Sequence, residues 1–147
     1  MKASIPALYD KLAISSDGAQ SFSWQKSLIR DIAALLNDAS RSASLNLAHR
    51  PYCAGAVINY GLPSLSRQLP ISVELKVLAA HIQNIITTFE PRIDPKSIIV
   101  IPIVDAEQPA VLALLFDIHG RCQLSHEDHM INIRIALDYS CGTVQVI

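Results

Sequence analysis

The residues of this chain whose types and spacing could do chemistry fall in three places. Glu90-Pro91-Arg92 sets a carboxylate and a guanidinium on either side of a rigid imino acid. Proline fixes its own φ, so both charged side chains are expected to leave the turn in defined directions. Arg92 would offer a planar fork to a bidentate acceptor, and Glu90 would accept from N–H donors. The plainer reading is a helix stop with two solvated charges, and three residues do not decide between the two. His119, Cys122, His126 and His129 make an H-x2-C-x3-H-x2-H run of zinc-compatible ligands. We expect all four in one loop between strands. The compressed spacing and the lack of a C-x2-C anchor point to a polar hairpin tip and no metal, and HEDH is not the H-E-x-x-H of metalloproteases. Glu127 and Asp128, adjacent in the same loop, are expected to be solvated. Glycoside hydrolysis needs two placed carboxylates, one with a raised pKa. An arginine close to Glu90 would favour its ionised form, the opposite of what a general acid requires.

The bulk composition narrows the choice. The 147 residues suit one domain, 1–147, with one core, and half of them are hydrophobic while 17% are charged. Disorder is not expected of such a chain. Twelve Lys and Arg balance thirteen Asp and Glu, so no basic surplus exists to neutralise phosphates, and nucleic-acid binding is not expected. Low charge with positive mean hydropathy implies apolar surface covered by a partner. The N-terminal MKASIPALYDKLA has no apolar stretch of signal-peptide length, and no run reaches the roughly 18 apolar residues of a membrane span. Three irregularly spaced cysteines, Cys53, Cys122 and Cys141, read as reduced thiols.

These groups must be held by elements with their own signals. Residues 1–22 suggest one helical turn near 7–13 within a flexible segment. Ser23 is an N-cap candidate, and Leu28, Ile32, Leu35 and Leu36 then recur at helical spacing toward an end near Asn37. Trp24 is expected to anchor in the core. Residues 38–51 read as a loop. Residues 52–66 read as a short helical or extended piece followed by a turn at Tyr60-Gly61-Leu62-Pro63. Ser72 is expected to cap a second long helix, with Glu74 in its first turn. Leu78, Ile82, Ile85, Ile86 and Phe89 form its stripe, and Pro91 ends it. The period then changes to that of strands: 97–104, 110–118, 130–137 and 143–147 are rich in Ile and Val. In the third, Ile131, Ile133 and Ile135 share a face opposite Asn132, Arg134 and Ala136. Helices before closely joined strands predict an α+β fold, with N-terminal helices packed on a mainly antiparallel sheet of three or four strands. The last strand, Thr143, Val144, Gln145, Val146 and Ile147, is expected at a sheet edge open to strand addition.

Taken in order, ALYDKL, ALLND, AVINYGLPSL, TTFEPRI and DYSCGTVQV resemble TssE, the baseplate wedge family of type VI secretion systems, related to wedge subunits of contractile phage tails. Ser64 stands where that pattern has Asp, Asp38 where it has Thr, and 118–129 follow no family pattern. The resemblance implies a structural subunit on the cytoplasmic side of the inner membrane, with no cofactor, no nucleic acid and no membrane insertion. Its implied partners are TssF, TssG and TssK, the sheath subunits TssB and TssC, and the spike protein VgrG. It implies that Glu90, Pro91 and Arg92 dock on the TssF–TssG helical bundle, and that the sheet helps to start sheath polymerisation. Asn59, Tyr60, Gly61, Leu62 and Pro63 form either a structural turn or a second contact. On this reading Arg92→Ala keeps the fold and loses assembly. Some relatives are anti-adapter proteins and some carry a lysozyme-like label, so a regulatory binding module and a peptidoglycan hydrolase are the alternatives.

Overall fold

Helix α1, Trp24–Asn37, starts where the sequence places it. Ser23 is extended, and its hydroxyl accepts from the Lys26 N–H at 3.5 Å. The predicted stripe is the buried one: Leu28, Ile32, Leu35 and Leu36 are all core residues. Trp24 lies at its edge, its ring 5.1 Å from that of His129. The chain is seen here as a computed structural model that describes residues 23–38, 47, 49–62, 71–103, 113–124, 127–138 and 141–147. The expectations for 1–22 and for Pro63 lie outside these residues.

The ambiguous stretch after 50 holds a short helix α2, Pro51–Ala54, and a 3-10 turn, Val57–Asn59. Pro51 opens α2 because the first helical position needs no N–H. Helix α3, Ile71–Phe89, buries Leu78, Ala79, Ile82, Ile85 and Ile86, with Phe89 partly buried. It already includes Ser72, so Ser72 lies within the helix and does not cap it from outside. Its last backbone bond runs from the Glu90 N–H to the Ile86 carbonyl, and Pro91 has no N–H to continue the ladder.

Four strands follow: β1 Ile99–Ile103, β2 Ala113–Leu124, β3 Glu127–Asp138 and β4 Val144–Val146. They form one antiparallel sheet in the order β1-β2-β3-β4. This is the α+β arrangement expected. Val100, Leu114, Phe116, Ile118, Cys122, Ile131, Ile133, Ile135, Leu137 and Val144 line the inner face, against α1 and α3. Pro102 is accommodated in β1 because that strand is an edge.

One expectation fails clearly. Residues 119–124 and 127–129 are strand and not a polar loop: β2 runs to Leu124 and β3 begins at Glu127, paired residue by residue from Ala113↔Asp138 to Leu124↔Glu127. The extension is held from both sides. Cys122 bridges Ile93, and the Asp94 N–H donates to the Arg121 carbonyl at 2.8 Å. Gly120 allows the crossing, since a Cβ there would lie 2.9 Å from Ile93 Cγ2.

Candidate docking site at the exit of the long helix

Pro91 ends α3 and turns the chain toward the sheet, which fixes where Glu90 and Arg92 stand. They do not both project outward, as the tripeptide suggests. Glu90 is 5% exposed. Its Oε1 accepts from Arg92 Nε at 2.7 Å and from the Arg92 backbone N–H at 3.1 Å, and its Oε2 accepts from Arg92 Nη2 at 2.6 Å. The guanidinium folds back over the carboxylate because a buried carboxylate needs donors and the Pro91 turn places the nearest fork two residues away.

Arg92 also reaches α1. Its Nη2 donates to Asp31 Oδ2 at 2.8 Å and its Nη1 to the Ser27 hydroxyl at 3.4 Å. Ser27 and Asp31 sit one helical turn apart beside the apolar stripe. The turn is therefore a clasp between the two long helices. The hydrogen bond to Glu90, and its charge, hold the Arg92 proton more tightly than in a free arginine, against the opposing effect of burial; Asp31 adds to the hold. Arg92 keeps 28% of its side chain exposed, and Pro91 is exposed.

The NYGLP run meets this clasp. The Tyr60 ring stands edge-on to Phe89, centroids 5.5 Å apart, at the last residue of α3. Burial pushes the Tyr60 phenol pKa up, and the charges of Asp31, Glu90 and Asp38 push it further, with Arg92 opposing. The Leu62 N–H donates to the Asp38 carbonyl at the end of α1, and Leu62 is buried. Asn59 is buried and donates from Nδ2 to the Cys53 and Ala54 carbonyls of α2. Gly61 takes φ +108°, a conformation glycine reaches without strain. Just before this run, Tyr52, Val57 and Ile58 are apolar and exposed.

The other candidates do not converge. Strand alternation sets His119, opposite exposed Asn132, on the outer face, while Cys122 and His129 lie on the inner one; His126 is not among the described residues. Among the described residues no group of three or more His, Cys, Asp or Glu side chains could hold a metal ion. Asp128 stands in β3, 3.6 Å from Arg121, and not in a loop. All three cysteines are free thiols. No described helix is long and apolar enough to cross a membrane. The terminal strand is an edge strand, with Thr143 and Ile147 bonded to Asp138 and Arg134 of β3.

Sequence reasoning missed Ser27 and Asp31 as partners of Arg92, and Asn37, which holds Val144. The available signal was a pair of polar residues at i and i+4 flanking an apolar helical stripe. Searches of the curated proteins and of the solved structures find no match to the chain. The family model of baseplate wedge protein gp25 matches residues 23–127, from the N-cap of α1 through the Glu90–Arg92 clasp to the start of β3, and the chain belongs to that family.

Proposed function

We propose that this chain is a structural wedge subunit in the baseplate of a type VI secretion machine. It docks on the TssF–TssG helical bundle through the α3 exit and works beside TssK and VgrG on the cytoplasmic side of the inner membrane. Its terminal strand helps to start the TssB/TssC sheath. The family supports the baseplate role, and the order of the NYGLP and EPR motifs supports the narrower assignment. The observation that carries the docking site is the meeting of those two motifs. Tyr60 packs on Phe89, and Arg92 ties Glu90 to Asp31, so Pro91 and the exposed rim of Arg92 sit on a rigid ledge. Rigid presentation lowers the ordering cost of binding. Exposed Tyr52, Val57 and Ile58 supply apolar area for a partner near the NYGLP run.

The role is non-catalytic. A general acid must present a proton to a substrate, whereas both oxygens of Glu90 accept hydrogen bonds from Arg92 in a buried site. Because Arg92 is part of the clasp, Arg92→Ala would alter the fold as well as the surface, so a cleaner probe is Pro91→Ser, at an exposed position with no hydrogen-bonding group to lose. The variant keeps Glu90, Arg92 and Asp31 for the clasp. It is expected to lose no more than about 1 kcal/mol of stability from the freed backbone, and to lose co-purification with TssF and TssG. A folded Pro91→Ser protein that co-purifies undiminished would remove the α3 exit as the docking site.

A further inference from the structure

The two edges of the sheet are unlike each other. On β1 the outward Val100 N–H donates to Gln83 Oε1 of α3 at 3.4 Å, and the next outward residue, Pro102, has no N–H. Among the described residues of that edge, Val100 is the one outward donor and Gln83 already takes it, so an added strand would find little to bond. On β4 the Asp138 N–H donates to the Thr143 carbonyl and the Ile147 N–H to the Arg134 carbonyl. Thr143, Gln145 and Ile147 therefore turn their peptide groups toward β3, and Val144 and Val146 turn theirs away.

The outward groups of Val144 are already occupied. Asn37 Oδ1 accepts from the Val144 N–H at 2.8 Å, and Asn37 Nδ2 donates to the Val144 carbonyl at 2.8 Å. A primary amide has one acceptor and two donors, so it does here what the peptide group of a neighbouring strand would do. The second Nδ2 hydrogen goes to the Ala33 carbonyl at 2.9 Å, which fixes the orientation of the amide. The outward groups of Val146 have no partner among the described residues. With Asn37 in place the usable edge is one residue long, too short for strand pairing.

We propose that Asn37 is a displaceable occupant of the β4 edge, and that an extended strand from a partner adds there by replacing the Asn37 amide on Val144. This rests on the reading that β4 receives a sheath strand, and it gives that contact a gate. At Val144 the exchange is like for like, two hydrogen bonds given up and two remade. The Asn37 bond to the Ala33 carbonyl is lost as the amide swings clear, and the pairing that then extends to Val146 offsets it. Asn37 is exposed at the last position of α1, so its side chain can rotate away without unwinding the helix.

The test compares full-length wild type with Asn37→Ala. Capture of TssB and TssC is measured by pull-down, and amide hydrogen exchange is followed along β4. The variant should capture the sheath proteins at least about tenfold more tightly, the net scale of removing the two competing Asn37 hydrogen bonds. Protection should fall at Val144 alone and persist at Gln145 and Ile147. Capture that is equal or weaker than wild type, with Gln145 and Ile147 still protected, would show a fixed tie and not a gate. Loss of protection at Gln145 and Ile147 would show that Asn37 anchors β4 itself, which also overturns the proposal. If neither protein captures TssB and TssC, the sheath reading fails, and the gate with it.

Discussion

Two arginine–carboxylate forks in this protein share nearly the same geometry and sit in opposite surroundings. Arg92 grips Glu90 at 2.6 and 2.7 Å, and Arg134 grips Asp117 across β2 and β3 at 2.7 and 2.9 Å. The Glu90 and Arg92 side chains are 6% and 28% exposed, whereas Asp117 and Arg134 on the outer sheet face are 20% and 52% exposed. Distances alone would rate the pairs equal. Water decides otherwise. At the outer face solvent already screens both charges, so joining them changes little. At the α3 exit Glu90 has lost its water, and Arg92 is what replaces it. The first fork is therefore a condition for the helix exit to exist in this form, and the second is a cross-strand pair.

The largest effect should come from removing Arg92. Arg92→Ala strands a buried carboxylate and cuts the link to Asp31 and Ser27. The cost should be about 2–3 kcal/mol, below the roughly 3–5 kcal/mol of a fully buried pair because Arg92 retains some solvent. For a chain of this size that lowers the melting temperature by roughly 5–10 °C. A wild-type melting curve would show that Glu90 finds other donors. The double variant Glu90→Met/Arg92→Met comes next. Removing both charges leaves none unpaired, so its loss should be smaller than that of Arg92→Ala alone. A double variant at least as unstable as the single one would mean that lost packing, and not a stranded charge, is the source.

The difference between the forks also marks what a sequence can tell. Ser23, the Leu28–Leu36 stripe and Pro91 act within a few residues, and each element boundary they imply is found at that place. The strand faces of 131–136 are legible for the same reason, since a period of two needs only neighbours. Residues 119–124 defeat that reading. Their inner face is carried by Gly120 and Cys122, neither of which resembles a strand core residue, and their pairing depends on Ile93 and Asp94 nearly thirty positions earlier. Glu90 fails in the same way. The chain shows a carboxylate near an arginine, but its direction is set by Asp31 and Ser27, which are 61 and 65 residues from Arg92. Asn37 holds a strand 107 residues away through two bonds that no spacing rule suggests.

The smallest effect should be at the exposed fork, and it should depend on pH. The Arg134 hydrogen bond, with its charge, holds the Asp117 carboxyl below its ordinary pKa of 3.8. A carboxyl with a lowered folded-state pKa binds its proton more readily when unfolded. Its contribution is therefore present above about pH 4 and is lost as the pH falls through the folded value. Asp117→Asn cannot titrate. It should melt like wild type at neutral pH, because an exposed pair contributes little there, and its stability should fall less steeply than that of wild type on acidification. Asp94, lowered in the same way by Arg121, titrates in both proteins and cancels from the comparison. The difference should shrink in about 1 M salt, where the screening length is near 3 Å, and keep the share due to the hydrogen bond itself. Parallel acid limbs at low salt would mean that Arg134 and Asp117 exchange their fork for water too readily to couple to folding, which would widen the contrast with Arg92.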